Sequence, residues 1–148
     1  MTHRLVALIA TAAAVATTAV LATSGAAQTQ PTTLHLVSTP ERGAGFLPKG
    51  APHPGDRLGF ANKISGDDSG YAKAICTVLG AKGQGGAPCT MWVHLSHGTL
   101  ALQGLLPERA HNTPIAVTGG TGAYSGARGT ALLTDVSPTK TSVEVTLL

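Results

Sequence analysis

The sequence predicts an all-β protein, an eight-stranded antiparallel up-and-down β-barrel, and three observations lead there. Downstream of position 33 the chain breaks into short apolar or alternating runs bounded by Gly, Pro, Asn and Asp clusters, and no amphipathic helix is visible. Several breaks have hairpin character: Ser65-Gly66-Asp67-Asp68-Ser69-Gly70, Gly83-Gln84-Gly85-Gly86, His97-Gly98 and Ser137-Pro138-Thr139-Lys140. Consecutive hairpins make a meander, and eight strands in a chain of 148 residues can close on themselves, removing the edges an open sheet would expose.

The first segment is read as a leader. Met1 to Arg4 is a short basic start, Leu5 to Leu21 is almost wholly apolar or small, and Ser24-Gly25-Ala26-Ala27 supplies small residues. That is the pattern of a secretory signal peptide cleaved near Ala27. A membrane-spanning helix is the alternative, since Leu5 to Ala22 is uncharged and near the lower length limit, but the stretch is Ala/Thr-rich and ends in small residues. The expected location is therefore secreted or extracellular. No Cys follows the cleavage site to carry a lipid anchor. The expected organisation is a signal peptide over 1–27, a first strand and covering loop over 28–54, and the remainder of one barrel domain over 55–148.

Strands are expected at Thr33–Ser38, Asp56–Ser65, Tyr71–Gly80, Cys89–Ser96, Thr99–Leu106, Thr113–Val117, Gly129–Val136 and Thr141–Leu147. The Pro- and Gly-rich stretch Pro40 to Pro54 has no periodicity and is expected to lie over the domain as a loop. In the last strand Val143 and Val145 alternate with Ser142, Glu144 and Thr146, giving one buried and one wet face.

Composition excludes several functions. Ten Lys+Arg against seven Asp+Glu give a net charge of only +3, and the basic residues are scattered. Two Phe, two Tyr and one Trp cannot build stacking platforms, so no nucleic-acid partner is expected. His94 and His97, three apart on a strand, face opposite ways with no third ligand beside them, so no metal is expected, and no cofactor. Gly119-Gly120-Thr121-Gly122 could pass for a phosphate-cradling loop, but no Lys-Ser/Thr and no dinucleotide fingerprint follows. Its glycines are expected to serve a compact turn with Tyr124 tucked beneath it.

The strand from Asp56 is the most informative. With period 2, Leu58, Phe60, Asn62 and Ile64 share a face that is apolar apart from Asn62 and must point inward. An inward Asn needs partners for its amide. Cys76 and Cys89 are the only cysteines, and in an exported chain they read as one disulfide, worth roughly 3 kcal/mol for so short a loop. Trp92 shares a face with His94, and the residues leave core and cavity wall both open for it.

Three segments carry a family resemblance: Gly55-Asp56-Arg57-Leu58-Gly59-Phe60-Ala61-Asn62-Lys63-Ile64-Ser65-Gly66-Asp67, then Ala116-Val117-Thr118-Gly119-Gly120-Thr121-Gly122-Ala123-Tyr124-Ser125-Gly126-Ala127-Arg128-Gly129, then Pro138-Thr139-Lys140. Together they resemble the allene oxide cyclase barrel, a fold shared with the dirigent proteins. The resemblance implies that Asn62 helps hold a water that binds a substrate oxygen, that Cys76 lines the cavity, that Arg128 matches a dirigent cavity arginine, and that the protein is a homo-oligomer, a trimer. It also marks departures. The cyclases carry a glutamate on the first strand, where Leu34-His35-Leu36-Val37-Ser38 offers none, and a tyrosine after a Gln-Gly pair, where Gln103-Gly104 is followed by Leu105.

The resulting expectation is a barrel that binds a small hydrophobic molecule through Leu58, Phe60, Asn62, Cys76, Trp92 and Arg128. It steers that molecule through an intramolecular cyclisation or stereoselective coupling, with Asn62 as the catalytic candidate; as an enzyme it would be an isomerase of the cyclase type. The alternative is a non-catalytic ligand-binding or structural barrel, in which Asn62 only ties strands together.

Overall fold

A computed structural model describes residues 32–80 and 86–148; the expected signal peptide, its cleavage site near Ala27 and most of the Gly83–Gly86 hairpin lie outside them. Eight strands follow in order: β1 (Thr32–Phe46), β2 (Arg57–Gly66), β3 (Gly70–Thr77), β4 (Ala87–Leu95), β5 (Gly98–Leu106), β6 (Thr113–Gly122), β7 (Gly129–Ser137) and β8 (Lys140–Leu147). Each pairs antiparallel with the next, and β1 pairs with β8 to close the barrel.

Alternation fills the interior. Leu36 on β1, Ile64 on β2, Ala72 and Ala74 on β3, Met91 and Val93 on β4, Leu100 and Leu102 on β5, Ile115 and Val117 on β6, Ala131 on β7 and Val143 and Val145 on β8 are buried. These are inward positions two apart, as the pleat demands. Cys76 and Cys89 are directly opposite across β3 and β4 and are joined by the expected disulfide.

Two expectations are corrected. The chain from Pro40 to Phe46 is strand, not covering loop: β1 continues along β2, with Pro40 opposite Asn62 and Gly45 opposite Phe60, so the residues between them bulge. Beyond Ser38, β1 has no partner in β8, so the missing N–H of Pro40 faces a free edge and leaves no ladder bond unmade. Likewise β6 runs on to Gly122, past Val117, with Thr118 as an extra residue against β5. The glycines therefore belong mostly to a strand. Gly120 is required there, because a Cβ would meet the carbonyl oxygens of Thr99 and Tyr124 and fall 2.8 Å from the Tyr124 Cβ. Tyr124 thus packs against the Gly120 backbone, at the turn that follows.

An up-and-down barrel sends alternate connections to opposite ends. Residues 67–69, 96–97 and 123–128 lie at one end, and residues 47–56, 78–80, 86, 107–112 and 138–139 at the other.

Candidate functional site: an end-open cavity

Strand parity places the inner polar groups. On β1, Leu34, Leu36 and Ser38 point inward, and Ser38 is buried at 6% exposure. On β2, Phe60, Asn62 and Ile64 point inward. Ser38 pairs with Ile64 and Pro40 with Asn62, so Ser38 and Asn62 are diagonal neighbours on the inner wall. The Asn62 Nδ2 donates to the Ser38 Oγ at 2.7 Å. Because that oxygen is the acceptor, the Ser38 hydroxyl proton remains to be donated, and among the described residues it has no protein acceptor. The Asn62 Oδ1 likewise accepts from no described residue. The pair offers one O–H donor and one carbonyl acceptor to whatever occupies the barrel.

That interior holds a cavity of about 180 Å³, walled chiefly by Leu36, Phe60, Met91, Val93, Leu102 and Leu133 around Ser38 and Asn62. Glu108 and Asp135 also line it. The Asp135 carboxylate is fixed: Oδ1 accepts from the Thr141 hydroxyl at 2.7 Å and Oδ2 from the Ala110 N–H at 2.9 Å. The Asp135 N–H returns a bond to the Ala110 carbonyl, so the loop after β5 is strapped onto β7 beside the cavity.

The cavity continues outward. A wider groove of about 710 Å³ shares Phe60, Leu106, Pro107 and Glu108 with it and is walled further by Ala51, Pro52, Leu58 and the Cys76–Cys89 disulfide. The expected ligand residues therefore divide. Phe60 and Asn62 line the inner cavity, while Leu58 and Cys76 line the groove above it, with the Cys76 sulfur bonded to Cys89.

Trp92 and Arg128 are elsewhere. Met91 and Val93 take the inward positions of β4, which turns Trp92 to the outer face at 39% exposure, so it is neither core nor interior wall. Its same-face neighbour His94 stacks on Tyr71 with ring centroids 4.5 Å apart, and the His94 Nδ1 is 2.9 Å from the Thr99 hydroxyl. Arg128 is exposed, and its Nη1 donates to the Thr118 and Ala127 carbonyls at 2.9 and 2.8 Å. It clamps the Thr118 bulge, whose hydroxyl also bonds the Ala101 carbonyl.

The opposite end is tied shut. Asp68 Oδ1 accepts from the Ser69 N–H at 2.6 Å, the Ser96 hydroxyl at 2.7 Å and the Ser96 N–H at 3.3 Å, and Oδ2 accepts from the Tyr124 hydroxyl at 3.4 Å. The Ser96 hydroxyl, foremost among these donors, holds the Asp68 carboxyl below its ordinary range. Burial, and then the Asp68 charge, push the Tyr124 phenol up.

Ser38, Glu108, Thr141 and Asp135 were not among the residues the sequence singled out. For Ser38 the signal was present: carrying the Leu34-Leu36 alternation two residues on puts a hydroxyl on the inner wall. Glu108 stands on a loop and Asp135 beside a β7 irregularity, where no periodicity applies.

Fold and site together define a closed eight-stranded antiparallel up-and-down barrel with a largely apolar cavity open at one end. No protein-family model and no curated protein sequence matches the chain. Solved structures do. Pyocyanin demethylase superposes with a TM-score of 0.67 at 24% identity, covering 79% of this chain and 100% of that one. Two pterocarpan synthase dirigent proteins superpose at 19% identity over 80% of this chain, with TM-scores of 0.58 and 0.55, covering 87% and 94% of their own chains. At these identities the likeness is one of fold.

Proposed function

We propose that this is an exported barrel that takes a small hydrophobic molecule into its cavity and steers an intramolecular cyclisation or stereoselective coupling. The observation that carries this reading is the hydrogen-bonded pair Ser38 and Asn62, set among apolar side chains of the inner wall and reachable from one end. A cavity of about 180 Å³ is comparable to the roughly 150 Å³ engineered cavity that takes up benzene. One ring fits within, and the remainder of the molecule extends into the groove. The Ser38 hydroxyl donates to an oxygen of the bound molecule, and Asn62 orients that hydroxyl. Holding a flexible reactant in one folded shape supplies rate and stereochemistry with little acid/base machinery. The similar structures, a demethylase named for pyocyanin and synthases named for pterocarpans, are named for small-molecule chemistry. The disulfide and the leader-like N-terminus support export. A homo-oligomer, with a trimer as the expected stoichiometry, belongs to the same reading, and outward-facing Trp92 is the largest side chain available to that contact.

Two observations favour a non-catalytic carrier as the second reading. The described inward positions of β1 (Leu34, Leu36 and Ser38) bear no carboxylate, and the Cys76 sulfur is tied into a disulfide. Native mass spectrometry of the purified protein, extraction of what it carries, and chiral chromatography after incubating that compound with protein separate the two. A cyclised or coupled product of one handedness, lost in Ser38→Ala, supports the steering reading. A compound recovered unchanged makes the protein a carrier, and an empty protein that takes up no hydrophobic compound overturns both.

A further inference from the structure

The charged side chains that line the cavity are all of one sign. The chain has more basic than acidic residues, ten against seven, yet no Lys, Arg or His lines the cavity, whereas Glu108 and Asp135 both do. Lys49, His53, Arg109 and His111 on the connections at this end, and Lys140 at the start of β8, stand nearby without lining the cavity or the groove. Asp135 is held in place by the Thr141 hydroxyl and the Ala110 N–H, which use one acceptor site on each oxygen and leave others free. Glu108 belongs to both the inner cavity and the groove, so a molecule passing between them passes its carboxylate. Deeper in, the Ser38 hydroxyl proton awaits an acceptor.

We infer that the ligand is a small apolar amine, its ring in the barrel and its ammonium group at the mouth between Glu108 and Asp135. This rests on the reading of the barrel as a ligand cavity. The physical reason is the cost of taking a charge out of water. An ammonium group entering this mouth exchanges hydration for two carboxylates, while a carboxylate ligand, such as a fatty acid anion, would lose hydration and face two like charges. Low-dielectric walls concentrate that difference at the entrance. Fatty acids and other anionic lipids are thereby disfavoured, and neutral molecules fall between.

The test is a titration of the isotopically labelled protein, at low salt and pH 7, with 2-phenylethylamine, 2-phenylethanol and phenylacetate, read from the backbone amide signals of Ser38, Phe60 and Asn62. The expected result is binding of the amine about tenfold or more tighter than the carboxylate, a gap that narrows with added salt. In Glu108→Gln the gap shrinks, with the amine losing more affinity than 2-phenylethanol. Glu108 makes no described hydrogen bond, so this variant removes charge without removing a strand tie; Asp135→Asn serves as the second variant, with its fold checked by the same spectra. Equal binding of all three probes, or tighter binding of phenylacetate, overturns the charge preference and leaves the cavity reading standing. Failure of every probe to shift the interior amides overturns the cavity reading, and this inference with it.

Discussion

At one end of the barrel a single carboxylate, Asp68, gathers donors from Ser69, Ser96 and Tyr124 and knits three turns together. At the other end two carboxylates line an opening, one of them, Glu108, without a described hydrogen-bond partner, and the wall behind them is apolar. Carboxylates thus tie turns together in one place and border a cavity in the other. What separates the roles is how many local donors the neighbouring turns supply. At the closed end the short turns 67–69 and 96–97 bring backbone and hydroxyl donors within reach of one carboxylate, whereas at the open end the longer connections 47–56 and 107–112 border the opening.

Substitutions at the two ends should therefore separate stability from binding. The largest effect is expected from removing the disulfide that frames the open end. Replacing both Cys76 and Cys89 by Ala should lower unfolding free energy by about 3 kcal/mol in denaturant titrations, by the loop-closure argument for a 13-residue separation. At the closed end, Gly120→Ala forces a Cβ against backbone, and overpacking of this kind costs about 2 kcal/mol, visible as a lowered Tm with ligand affinity retained by the folded fraction. Ser38→Ala should reverse that pattern. Ligand affinity measured by calorimetry should fall about tenfold, while stability changes by roughly 1 kcal/mol, the worth of one hydrogen bond. Arg128→Ala releases the Thr118 carbonyl to water at the surface and should cost at most about 1 kcal/mol without altering binding.

The last difference is expected in pH dependence alone. Because the Asp68 pKa is depressed in the folded state, its contribution to stability is present above the ordinary value of 3.8 and is lost as pH falls through the folded value below it. The stability gap between the native protein and Asp68→Asn should be steady near neutrality and close in that acid window. Tyr124 works in the opposite direction: its raised pKa contributes stability below 10.0 that disappears as pH rises through the folded value. In Asp68→Asn the phenol should titrate closer to 10.0, a change followed by ultraviolet absorbance.

The closed end and the barrel itself were more legible in the sequence than the open end. Alternation in Val143-Glu144-Val145 and Leu58-Gly59-Phe60 gave strand faces, and the hairpin residues gave the meander. The same alternation, applied to Met91-Trp92-Val93, puts Trp92 on the face opposite Met91 and Val93, but the sharing of a face with His94 alone does not say which face is the outer one. Pro40 concealed the continuation of β1, because proline reads as a break wherever the strand's free edge is not known. Arg128 matched a family motif by position, yet its partner is the orphaned carbonyl of a bulge that local pattern does not reveal. Glu108 and Asp135 come together only through the register of β7 against the loop after β5, a long-range fact.

The most direct test of the difference between the two ends is a map of backbone amide shifts on adding a neutral probe, 2-phenylethanol. The account predicts changes concentrated at Ser38, Phe60, Asn62 and Leu106, with Asp68, Ser96 and Tyr124 unmoved. Shifts centred on Trp92 and the outer face, or on the Asp68 turns, would contradict it.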